Sequence, residues 1–168
     1  MQGWDSRALG ITDLKLLYDN LIRYEIELWN DIDVALRAGC DLQLTWFEIL
    51  RFLDGSGPCR VQDIAEEFAI TVGGTSKVVD RIEAAGYCAR RAHPNDRRSS
   101  LVELTSAGHH VLEQAEIVFE RELELRIGAI IDEAAIRTTA ATLATLRAHG
   151  HVLNRARTSH AGANAARS

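Results

Sequence analysis

Residues 61–87, VQDIAEEFAITVGGTSKVVDRIEAAGY, decide the fold. Val61, Ile64, Ala65 and Phe68 recur at helical spacing and predict a short helix from Val61 to Phe68. Thr71 then stands as an N-cap, because its hydroxyl can accept an orphan backbone N–H of the following turn. A second helix is expected to run to about Ala85, burying Val78, Val79 and Ile82, with Gly86 as its left-handed C-cap residue. Two short helices joined through Ala69-Ile70-Thr71 make a helix-turn-helix.

Downstream, Tyr87 to Ala92 and Leu101 to Leu104 read as strands around the polar tip His93-Pro-Asn-Asp-Arg-Arg-Ser-Ser100. This is a β-hairpin with adjacent arginines at its tip. Upstream, Leu44 to Leu53 is a helix closed by the turn-rich Asp54-Gly-Ser-Gly-Pro58. Before it, Thr12 to Leu36 is a long helix with two apolar stripes, and two stripes need two covering surfaces. After the hairpin come helices from Ser106 to about Ile127 and from about Asp132 to His149. From Asn154 the periodicity stops, and a tail without ordered structure is expected.

Lys and Arg total 19 against 24 Asp and Glu, a net charge of -5. That balance argues against a chain that coats nucleic acid with its whole surface, but not against a local basic site. Bases prevail in one central stretch, Thr71 to Arg98, with Lys77, Arg81, Arg90, Arg91, Arg97 and Arg98 against Asp80, Glu83 and Asp96. Acids dominate on both sides of it, and none follows Arg137. No run of eighteen apolar residues and no leader-like start are present, and Cys40, Cys59 and Cys88 form no CxxC. A cytoplasmic protein is expected.

A helix fits the DNA major groove and presents its N-terminal residues to base edges and phosphates. Here those are Thr71, Gly73, Gly74, Thr75, Ser76 and Lys77. The hydroxyls and exposed N–H groups suit phosphate oxygens, and Lys77 adds charge. The two glycines are poor helix formers, which we read as a bare backbone for close approach to the sugar-phosphate chain. Arg97 and Arg98 suit an adjacent minor groove. Asp96 beside them is expected to pair with an arginine.

The stretch from Leu44 to Gly108 resembles the MarR family of bacterial transcriptional regulators. The pieces are Leu44-Thr-Trp-Phe-Glu-Ile-Leu50, Val61-Gln-Asp-Ile-Ala65, Ser76-Lys-Val-Val-Asp-Arg-Ile-Glu83, Gly86-Tyr87, Pro94-Asn-Asp-Arg-Arg98 and Val102-Glu-Leu-Thr-Ser-Ala-Gly108. Their order and spacing carry the likeness more than any single piece. The resemblance implies a mainly α fold with a small β-hairpin wing: a winged helix-turn-helix over residues 41–108, flanked by dimerisation helices over 1–40 and 109–153. It further implies a homodimer on a pseudo-palindromic double-stranded operator, acting as a repressor released by a small aromatic, lipophilic or oxidising effector. By position it places Thr71 to Lys77 at the opening of the recognition helix and Arg97 and Arg98 at the wing. It sets Arg81 near the DNA backbone or paired with Asp80 or Asp96. Gly73-Gly74 departs from the polar or proline residues more usual there.

Other features weigh less. Cys40, in the Gly39-Cys-Asp41 link, is the best of three candidates for a thiol-redox switch, but buried cysteine packs as a small hydrophobe. His109-His110 and His149-Gly-His151 lack metal-ligand spacing, so no metal and no cofactor is expected. Tyr18, Tyr24 and Trp46 are candidates to line an effector pocket, but no residue is assigned to an effector. No GxSxG, GKT, HExxH or dinucleotide motif occurs, and an enzyme is not expected. The competing reading is a helical interaction adaptor whose winged helix does not bind DNA.

Overall fold

The computed structural model describes residues 10–165, with the side chains of Arg97, Arg98 and residues 151–165 outside the description. The chain forms two units, Met1–Glu122 and Leu123–Ser168. In the first, α1 (Ile11–Cys40), α2 (Leu44–Ser56), α3 (Val61–Glu67) and α4 (Val72–Ala84) precede the hairpin β1 (Cys88–His93) and β2 (Asp96–Leu104), and α5 (Ser106–Leu123) follows. In the second, a π-helical turn over Glu124–Gly128 precedes α6 (Glu133–Ala165). Among the described residues no helix is long and apolar enough to cross a membrane.

The core of the first unit gathers around α2. Leu44, Phe47, Ile49, Leu50 and Leu53 of α2 are buried, together with Ile32 and Leu36 of α1, Leu42, Ile64 of α3, Val79 and Ile82 of α4 and Val102 of β2. Phe47 packs on Phe119 of α5 with ring centroids 4.8 Å apart, and Arg51 lies over both rings at 5.5 and 5.0 Å. The long α1 is buried only near its C-terminal end, at Ile32 and Leu36. Its earlier apolar residues, Ile11 through Trp29, stay exposed except for the half-buried Leu28.

Polar contacts fix where the helices start. Asp33 of α1 accepts the Leu44 N–H at 2.7 Å and the Arg37 Nε at 2.6 Å, so a carboxylate from one helix satisfies an orphan donor of the next. Burial pulls the Asp33 pKa up, but these hydrogen bonds and the Arg37 charge outweigh it and hold the carboxyl below its ordinary value. At the hairpin's exit the Thr105 hydroxyl donates to Gly86 O at 2.6 Å and accepts Gly108 N–H at 3.0 Å, and Thr105 N–H donates to Tyr87 O at 3.1 Å. A Cβ on Gly108 would run into the Tyr87 carbonyl oxygen. That glycine is therefore required by close backbone approach.

Three expectations change. The tip shortens to Pro94-Asn95, and Arg97 and Arg98 belong to strand β2. His93 pairs with Asp96 and Ala92 with Ser100, so Arg97, Arg98 and Ser99 fall within a bulge that the sequence presents as loop. Cys40 is the last residue of α1 rather than part of a link. The tail expected to lack structure from Asn154 is helical to Ala165, consistent with its alanine and arginine content. Residues 166–168 lie outside the described residues.

Gly108→Ala should lower stability by about 2–3 kcal/mol, as overpacking against backbone does; urea unfolding measures it. Asp33→Ala should cost about 1–2 kcal/mol at neutral pH. Because the folded carboxyl titrates below the unfolded one, its stabilisation is complete above the unfolded value. It is lost as pH falls through the folded value. The difference between the parent and the variant should therefore shrink as pH falls through and below the ordinary aspartate range, which unfolding curves across acid pH will test.

Candidate nucleic-acid interface

The turn between α3 and α4 is built twice on one plan. At the end of α3, Ala69 N–H bonds to Glu66 O and Ile70 N–H to Ala65 O; at the end of α4, Gly86 N–H bonds to Glu83 O and Tyr87 N–H to Ile82 O. Both are Schellman closures, which require a left-handed residue. Gly86 takes it at φ 83 without penalty, whereas Ala69 takes it at φ 53 against the crowding of its own Cβ. Thr71 then caps α4, its Oγ1 accepting Gly74 N–H at 3.2 Å.

The face that α4 gives to the core decides what its other face can offer. Thr75, Val79 and Ile82 recur at i, i+4 and i+7 and are buried. Thr75 is 0% exposed and its hydroxyl donates to Thr71 O at 3.0 Å. Expected among the DNA-contacting residues, Thr75 is instead a core residue that closes the first turn. Ser76 is half-buried, whereas Thr71, Gly73, Gly74, Lys77 and Arg81 are exposed as the sequence reading requires. The two glycines separate. A Cβ on Gly73 would meet nothing within 4 Å, whereas one on Gly74 would press on Thr71 Oγ1 at 3.1 Å. Gly74 thus has an internal reason and Gly73 has none.

The basic stretch is partly consumed by internal pairing. Arg90 on β1 donates to Asp80 Oδ1 at 2.6 Å and to the Glu83 carboxylate, and its backbone N–H meets Glu83 Oε1 at 2.9 Å. Arg91 pairs with Glu103 across the hairpin at 2.7 Å. Asp96 pairs with Arg60, 3.7 Å away at the start of α3, so its expected arginine comes from another element. Arg60 also approaches His93 Nε2 at 3.5 Å. Of the two carboxylates expected for Arg81, Asp80 is held by Arg90 and Asp96 by Arg60. The side chains of Arg97 and Arg98 lie outside the described residues; their backbone belongs to β2.

Sequence reasoning missed a third strand-like partner. Cys59 forms a bridge with Val102, Cys59 N–H to Val102 O at 3.1 Å and Val102 N–H to Cys59 O at 2.8 Å. The thiols do not favour a redox switch. Burial pushes Cys88 up to about 11, aided by the Glu83 charge. Burial also raises Cys59 and Cys40, and Cys40 Sγ donates to Leu36 O at 3.2 Å. Protonated thiols are poor nucleophiles. His109 pairs with Asp54 at 3.1 Å, His110 with Gln114 at 3.2 Å and His149 with Thr145 O at 3.0 Å. Trp46 packs edge-on to Tyr87 at 6.4 Å, while Tyr18 and Tyr24 are exposed on α1.

Comparison with known proteins bears on this geometry. A model of the MarR family matches residues 41–99. An uncharacterized HTH-type transcriptional regulator of Bacillus subtilis, YxaD, is 30% identical over 55% of this chain and 67% of its own length. The chain belongs to the MarR family. Another Bacillus subtilis HTH-type regulator, YfiV, is 30% identical over 55% of this chain and 61% of its own length. The matched stretch thus spans about three fifths to two thirds of the length of these two relatives. A MarR family regulator from Streptomyces coelicolor, solved in complex with DNA, superposes with a TM-score of 0.73 at 19% identity. It covers 79% of this chain and 88% of its own. The MarR family is one of transcriptional regulators and is not normally enzymatic, and the two-stranded hairpin behind α4 is its wing.

Ala69→Gly should raise stability by about 1 kcal/mol by relieving the left-handed alanine. Gly73→Ala should leave stability unchanged or raise it by about 0.5 kcal/mol. Gly74→Ala should offset that gain by crowding the Thr71 cap. Thermal melts of the three variants distinguish these outcomes.

Proposed function

We propose that this chain is a homodimeric, sequence-specific DNA-binding regulator of the MarR family, acting as a repressor that a small aromatic or lipophilic effector releases. The observation that carries it is the exposed outer face of α4. A capped helix start, cleared at Gly73 and bearing Lys77 and Arg81, stands beside a hairpin whose bulge carries Arg97 and Arg98. The Streptomyces coelicolor relative solved in complex with DNA supports the same use of the fold. In this reading Thr71 turns its backbone N–H and the hydrogen of its hydroxyl to phosphates while its Oγ1 keeps the Gly74 N–H, and Gly74 leaves that cap uncrowded. Gly73, Ser76 and Lys77 enter the major groove, Arg81 neutralises the flanking backbone, and Arg97 and Arg98 follow the adjacent groove.

The dimer rests on α1. Leu14, Leu17, Leu21, Ile22, Ile26 and Trp29 are between 39% and 58% exposed, and clustered exposed apolar residues of this kind mark interaction surfaces. A second copy covers them, with α5 and α6 contributing. Two-fold symmetry then sets the recognition helices about one helical turn apart on a pseudo-palindrome.

Footprinting of the chain's own upstream promoter, with and without candidate effectors, tests the regulatory reading. Arg97→Ala or Arg98→Ala should weaken binding to most sequences and reduce the salt slope by about one for each phosphate the variant no longer neutralises. Lys77→Ala or Ser76→Ala should instead cost about 1–3 kcal/mol in a base-pair-dependent way. Sedimentation should give a dimer for all four variants and a monomer for Leu17→Glu with Leu21→Glu. Equal affinity for random duplex, or a slope near zero, overturns the proposal in favour of an interaction adaptor.

A further inference from the structure

Immediately flanking the Thr71 cap, two branched aliphatic side chains remain in water: Ile70 is 45% and Val72 50% exposed. Ile70 closes the turn after α3, which accounts for its backbone position. Val72 is the first residue of α4 and has no such duty. Side chains on an α-helix lean toward its N-terminus. A first-turn residue therefore projects beyond the end of the helix, which in the functional reading above is the end that enters the major groove. The next residue, Gly73, carries no side chain, and the space a Cβ would fill there is open. On that side of α4 a duplex brought up to the helix start can reach Val72 directly.

The base edges in the major groove offer donors and acceptors at every pair, with one apolar group among them, the C5-methyl of thymine. An exposed aliphatic group at the groove-entering end has that single apolar complement. We infer that Val72, given clearance by Gly73, makes the start of the recognition helix select thymine through its methyl group, with Ile70 as the flanking wall. The selectivity is thus partly apolar, in a site whose exposed charges, Lys77 and Arg81, lie further along the helix. This inference rests on the DNA-binding reading and assigns it a base.

The test uses the full chain and begins without an operator sequence. Site selection from a random-sequence duplex library yields the preferred half-site. Each thymine in it is then replaced singly by deoxyuridine, which keeps the hydrogen-bonding edge and removes only the methyl. At one thymine per half-site the parent should bind the uridine duplex about three- to fivefold more weakly, the scale of burying one methyl group. Val72→Ala should bind the two duplexes equally and match the parent on the uridine form, which also establishes that it is folded. Ile70→Ala should retain most of the discrimination. If no thymine shows a uridine penalty in the parent, or if Val72→Ala keeps the parent's penalty, the inference falls while the regulator stands. If the library enriches no sequence, the DNA-binding reading itself falls, and this inference with it.

Discussion

Arg90 sets the angle on which the candidate interface depends. Its guanidinium bridges Asp80 and Glu83, one turn apart on α4, while its own backbone N–H meets Glu83. The first strand of the wing is thereby tied to the recognition helix along a full turn, not at a single point. The other closures converge on the same corner. Gly86 turns the chain out of α4, and Thr105 returns it under Gly86 and Tyr87. Gly108 leaves room for the Tyr87 carbonyl. The helix and the hairpin can address one duplex together because their relation is fixed before any duplex arrives.

That corner also revises the electrostatics of the chain. Six bases between Thr71 and Arg98 make the stretch look strongly positive in sequence, yet Arg90 and Arg91 are committed to Asp80, Glu83 and Glu103. What α4 offers outward is Lys77 and Arg81. An acidic protein whose recognition helix turns two bases outward places its attraction for a polyanion narrowly there, which favours alignment over indiscriminate adhesion. The contrast between charge counted and charge available is large because pairing partners sit on neighbouring elements rather than one turn away.

Much of this is legible in the sequence, for identifiable reasons. Thr71 as a cap and Gly86 as a left-handed closure are local rules, and both hold in the structure. Thr75 reads as a DNA contact because its hydroxyl outweighs its position, although its spacing to Val79 and Ile82 places it on the buried stripe. Arg97 and Arg98 read as loop because a bulge interrupts the alternation that marks a strand. The Cys59 bridge leaves no trace, since a single residue after Pro58 has no periodicity to display. Partners such as Asp80 for Arg90 and Arg60 for Asp96 depend on tertiary approach, which no window of sequence contains. The apolar excess of α1 is plain from its two stripes, but sequence alone does not say which stripe its own domain covers.

The Cys59 bridge has a mechanical meaning. Val102 lies in the second half of β2, and its paired amide and carbonyl are held by a residue just before α3 begins. Arg60, the next residue along, holds Asp96 at the tip end of the same strand. Strand β2 is therefore held on both edges, by β1 on one side and by the approach to α3 on the other. Two backbone hydrogen bonds hold the second half of β2 and an ion pair reaches its tip end, so the strand is braced at two places along its length. The brace ties the wing to the residues just before α3, and α3 leads through the short turn at Ala69 to the first residues of α4, the same residues proposed to meet the groove.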